Sequence, residues 1–151
     1  MDHLKAMSRS SHLIAWGGLL LFIFLFFDWQ QVDTAIGSFG RSGWHGWGVL
    51  VGILTIALVG WEAILIFASK LELPFKASYL TGGLAAAVLL FTIIKFLVDN
   101  EFRNWPAWVG LILAIVIAVG GYLRWSGDEP TEIKLSKAPP AAPPPAEPPA
   151  A

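Results

Sequence analysis

Cysteine is absent from the 151-residue chain, so no disulfide, thiol nucleophile or zinc-thiolate site can contribute to its structure or chemistry. Charge is scarce as well: Asp, Glu, Lys and Arg make up 14% of the residues, against about 25% in an average soluble domain. The basic residues are scattered and the formal net charge is -1. The chain therefore lacks the basic patch interleaved with aromatics that a nucleic-acid binder presents, and no nucleic-acid partner is expected. Missing too are a Ser/His/Asp set, a carboxylate pair and a metal-ligand cluster at one depth of the chain. Neither a catalytic residue nor a cofactor nor a metal is expected.

What the chain does have is apolar length. Hydrophobic residues make up 56% of it, and they fall in four blocks, at about 11–27, 47–68, 79–98 and 108–125. About 20 mostly apolar residues, rising about 1.5 Å each, cross a hydrocarbon core roughly 30 Å thick. The blocks therefore predict an all-α fold, a four-helix transmembrane bundle, whose solvent is the lipid bilayer. Short connections make sequential helices antiparallel, in up-down order. Lys5 and Arg9 before the first block resemble the start of a signal peptide. Asp28-Trp29-Gln30-Gln31, rather than a small-residue cleavage site, follows the block, which predicts a retained helix. Pro106 stands near the first turn of the last helix, where proline is tolerated.

Orientation follows from Lys and Arg, which are in excess on cytoplasmic flanks. Lys5, Arg9, Lys70, Lys76, Arg124, Lys134 and Lys137 lie on one side of the alternation, and Arg41, Lys95 and Arg103 on the other. Residues 1–10 are thus expected to be a cytoplasmic segment and 11–125 a membrane domain of the plasma membrane, with 126–151 a cytoplasmic tail. That tail ends in an Ala/Pro run expected to be disordered, with polyproline II character, and to serve as a spacer or docking strip.

Small residues recur at helical contact spacing: Gly48 and Gly52, Gly83 and Ala87, then Gly110, Ala114 and Ala118. Such stripes allow close backbone approach, within the bundle or against a partner helix or second copy. The first helix is bulky by comparison, and much of it is expected to face lipid.

Two ionisable residues lie inside the spans, Glu62 and Lys95, and each is a functional candidate for that reason alone. Their depths differ by more than roughly 10 Å, so they are expected to have separate partners. For Lys95 the partner is Asp99, at i+4; for Glu62 it is Lys70, about two turns on, unless Glu62 titrates as a proton- or ion-coupling group. The loop after the first helix is rich in glycine and serine, which predicts flexibility. Its contact residues are Trp29, Trp44, His45 and Trp47, the tryptophans forming the outer half of an aromatic belt. Asp28, Asp33 and His45 are chemically able to ligate a metal but have no ligand spacing.

Phe26-Phe27-x-Trp29, Gly43-Trp44, Leu73-Pro74, and Val109-Gly110-Leu111 leading to Val119-Gly120-Gly121-Tyr122-Leu123 carry a family likeness. With them the chain resembles the small, uncharacterised four-span membrane proteins common in actinobacteria. The resemblance implies the four-span architecture and brings no activity with it. The layout is also similar to claudin-type tetraspans, but the paired loop cysteines of that family are missing here. The resulting expectation is a non-enzymatic multi-pass protein, an accessory subunit or scaffold with a membrane-protein partner or a second copy of itself. The alternative is a small oligomeric transporter or channel with Glu62 as the titrating group.

Overall fold

A computed structural model describes residues 7–68 and 76–127. It is mostly helical, with α1 (Arg9–Phe24), α2 (Gly48–Phe67), α3 (Ala77–Val98) and α4 (Trp105–Trp125). Between α1 and α2 lies a hairpin of β1 (Asp28–Thr34) and β2 (Gly37–Ser42). The expected tail and the Lys70 and Leu73-Pro74 segment fall outside the described residues.

The helices α2, α3 and α4 are long and apolar enough to cross a membrane. The first helix is shorter than the block that encodes it. It has 16 residues, about 24 Å at 1.5 Å each, and ends at Phe24 rather than at Phe27. The stop has an identifiable cause. The Nε1–H of Trp29 donates to the Phe24 carbonyl at 2.8 Å, and the N–H groups of Phe26 and Phe27 turn back to Ile23 and Phe24. The carbonyls that every helix end leaves over are thereby satisfied locally, and the chain turns into the hairpin. At its other end Ser8 caps α1, its Oγ accepting from the Ser11 N–H, as serine does at this position. Asn104 caps α4, its Oδ1 accepting from the adjacent Trp105 N–H, with Pro106 in the first turn.

Each of α1 and α3 packs against both α2 and α4. Ser11 near the start of α1, Glu62 late in α2, Thr81 early in α3 and Arg124 at the end of α4 meet at one end. Neighbours are therefore antiparallel. The core between them is aliphatic, centred on Ile14, Leu21, Val51, Leu58, Val88, Ala114 and Ile117. Buried Thr55 and Thr92 satisfy their hydroxyls on the carbonyls of Val51 and Val88, four residues back, so neither is left unpaired in the apolar core.

Pairs of adjacent glycines set the closest approaches. Neighbouring helical positions point about 100° apart, so one pair can face two neighbours. A Cβ on Gly17 would meet Ile117 of α4 at 3.0 Å, and one on Gly18 would meet Val59 of α2 at 2.4 Å. On α4, Gly120 faces Ile14 and Leu13 of α1, while Gly121 faces Ala85 of α3, where a Cβ would approach to 2.5 Å.

The segment expected to be flexible is instead the hairpin, antiparallel with Thr34 opposite Gly37 and Val32 opposite Phe39. Its outer neighbour is the α3–α4 connection: the Gln31 N–H donates to Phe102 at 2.9 Å, the Asn104 N–H donates to Trp29 at 2.8 Å, and Gln30 bridges Arg103. Phe102 takes a positive φ of 55° at this point. Glycine gives the loop conformational freedom, but the ladder and the anchored Trp29 remove it.

Candidate functional site

The polar chemistry of the bundle collects in two layers, one near each end. At the first, Glu62 and Arg124 form an ion pair at 2.6 Å, both side chains 1% exposed. Around it, the Arg124 Nη2 also donates to Ser11 Oγ at 2.6 Å, and that hydroxyl donates to Glu62 Oε2 at 3.2 Å. Thr81 Oγ1 donates to the other carboxylate oxygen at 3.3 Å and accepts from the Trp61 Nε1–H at 3.1 Å. Ser8 extends the cluster, within 2.8 Å of Ser10 and 3.2 Å of Ser11. The carboxylate comes from α2, and each of the other three helices contributes one side chain that touches it. Burying such a pair is costly unless its remaining valences are also met, and here the carboxylate accepts from three directions.

This arrangement gives Glu62 a partner that the sequence reading did not name. Arg124, counted among the flank charges that orient the chain, turns inward and neutralises Glu62. Lys70 lies outside the described residues. The spacing between Glu62 and Arg124, 62 positions apart, leaves no periodic signal; only the antiparallel return of α4 brings them to one depth.

The second layer is built on Lys95. Its Nζ donates to Asp99 at 2.6 Å, the i+4 partner that the spacing predicts, and to the His45 carbonyl at 2.9 Å. The ammonium also lies 5.5 Å from the centroid of the Trp29 ring, within reach of a cation–π attraction. Beside it, Arg103 donates to the Phe96 carbonyl at 2.5 Å and stacks on the Phe96 ring at 3.7 Å.

Trp29 is not part of an interfacial belt. It is 2% exposed and lies on Gly110, where a Cβ would come within 2.4 Å of the ring. Gly110 is therefore a seat for a tryptophan inside the bundle, not a partner-helix contact. Trp44 covers Gly52 in the same manner, a Cβ there meeting its ring at 2.3 Å, with Phe22 and Phe26 against it. Trp47 is more exposed and stacks on Phe91. The His45 side chain is exposed; its backbone carbonyl is what serves Lys95.

Of the other small residues, Gly48 is pressed against the Gly43 carbonyl and Lys95, Ala114 is fully buried and Ala87 is half-buried. Gly83 departs from expectation: it packs nothing, with open space where its Cβ would be. It and Ala118 line a groove of about 500 Å³ between α3 and α4. Sequence reasoning gave Gly17, Gly18, Gly120 and Gly121 no packing role. Adjacent glycines in otherwise bulky spans were the available signal.

Asp28, Asp33 and His45 do not converge: among the described residues no three His, Asp or Glu side chains are grouped to hold a metal ion. Two ionic layers can hold helices in register and set their depth. No protein-family model matches the chain, and no curated protein or solved structure is detectably similar to it.

Proposed function

We propose that the protein is a non-enzymatic multi-pass protein of the plasma membrane that works by contact, as an accessory subunit or scaffold of a membrane complex. In this reading all four helices span, the apolar turn Leu25, Phe26 and Phe27 lengthening the reach of α1. The hairpin is outside and the ends of the chain are cytoplasmic. The observation that carries the reading is the use made of intramembrane charge. Ionisable groups inside spans ordinarily mark ion or proton pathways, yet Glu62 and Lys95 are each held by residues of neighbouring elements, as ties within the bundle. What projects from the bundle is the hairpin, with Ile36 89% and Phe39 63% exposed. Apolar side chains displayed on an anchored β-element suit recognition of another protein.

Extraction of the tagged chain from its native membrane in mild detergent tests this. A stoichiometric partner, lost on the double change Ile36→Ser with Phe39→Ser, supports the contact reading. A chain that purifies alone and conducts a pH-dependent flux in liposomes overturns it in favour of a small transporter.

A further inference from the structure

We propose that the α3–α4 groove is a binding site for one anionic glycerophospholipid, an acyl chain lying along the groove and the phosphate at the start of α3. The proposal rests on the membrane reading above.

The groove exists because Gly121 draws α4 onto Ala85 while the positions beside the contact carry almost no side chain. Its floor is Gly83, Ala86 and Ala118, and its far end reaches Leu90 and Ile93. From Ser78 to Ile93 the helix rises about 22 Å, more than half of the roughly 30 Å hydrocarbon core, so one leaflet's acyl chain fits along it. The volume of about 500 Å³ falls among sites that enclose one small ligand, roughly 300–1,000 Å³.

Only one end is polar. Tyr79, Tyr122 and Trp125 rim it, all well exposed, as aromatic residues are at headgroup depth. Between them the Ser78 side chain lines the groove. It is 8% exposed and makes no side-chain hydrogen bond among the described residues, so its hydroxyl is available where a phosphate or glycerol oxygen would lie. Lys76, exposed, stands at the N-cap of α3 without a capping side chain, and the first turn holds no acidic residue. A lysine, the positive end of a 22-residue helix and a serine hydroxyl together complement a phosphodiester. Among the described residues the buried carboxylate is Glu62, which is paired with Arg124 and does not oppose an anion.

Native mass spectrometry of the detergent-solubilised full chain, with phosphatidylglycerol or phosphatidylcholine of identical chains added, tests the site. One retained phosphatidylglycerol per chain, preferred over phosphatidylcholine, is expected. Gly83→Leu fills the groove at a position that touches no other helix and should cut retention about tenfold or more, a loss of ~1.4 kcal/mol, with a thermal melt unchanged or slightly raised. Lys76→Gln should lower it about fivefold and erase the headgroup preference, since a lysine near anionic lipid contributes ~1 kcal/mol. Equal retention by wild type and Gly83→Leu overturns the proposal. So does competition by inorganic phosphate, which would make the site a free-anion site, or a wild-type dimer that Gly83→Leu dissociates, which would put a second copy in the groove. Carbonate washing of native membranes separates the two levels: a chain released by it ends the membrane reading, whereas a chain that resists it but retains no lipid ends only this site.

Discussion

At the scale of residues, the Glu62–Arg124 pair is a point where one atom's chemistry decides the fold's integrity. Removing one partner of a buried ion pair leaves a desolvated charge and costs about 3–5 kcal/mol, whereas replacing both by apolar groups is often neutral. Glu62→Gln and Arg124→Met are each expected to lower the unfolding midpoint in detergent sharply, and Glu62→Met with Arg124→Met to recover most of the loss. Additive losses in the double variant would show that the two side chains do not act as a pair. The small residues divide in a similar way. Gly110→Leu must displace the Trp29 ring and is expected to cost about 1–3 kcal/mol as an overpacked core does. Gly83→Leu meets nothing and gains helix propensity of about 1 kcal/mol over glycine, so its melt should be unchanged or slightly raised. The sequence marks both glycines with the same spacing; which of them packs depends on what the neighbouring element places opposite.

At the scale of elements, the hairpin and α1 depend on each other through Trp29. Its indole ends α1, fills the space over Gly110 and gives Lys95 an aromatic neighbour. Trp29→Ala should therefore cost about 3–5 kcal/mol, the range for truncating a large buried aromatic. It should also raise hydrogen exchange at the Gln31 and Asn104 amides, which bond across the hairpin and the α3–α4 connection. Protection there unchanged from wild type would mean that the hairpin holds without its anchor. The loop's composition hid this element. Glycine and serine are read as freedom, while Val32 and Phe39, the β-forming pair that face each other, are too few to outweigh them. The α2, α3 and α4 helices were legible to within three residues at each end, because sustained apolar length is a local property of the chain.

At the scale of the whole molecule, the absence of cysteine makes orientation directly measurable. Single changes Ile36→Cys, on the hairpin tip, and Ser126→Cys, just past α4, each introduce one thiol at an exposed position. If the basic residues orient the chain, a membrane-impermeant maleimide should label Ile36→Cys in intact cells and Ser126→Cys only after permeabilisation. The reverse pattern would invert the topology, and labelling of both in intact cells would mean that the two ends of the bundle are not on opposite sides of a membrane.

The sequence by itself marked three helices long and apolar enough to cross a membrane, with their rough extent, the Lys95–Asp99 pair and the lack of thiol chemistry. All of these follow from composition or from contacts within one helix turn. Only the tertiary structure decided that Arg124 belongs to Glu62, that Trp29 is core and not belt, that adjacent glycines each serve a different neighbour, and that Gly83 opens onto a groove. These depend on rotation and depth of separate helices relative to one another. No single-helix periodicity encodes that geometry; it is settled when buried charges find partners and side chains fill the space between backbones.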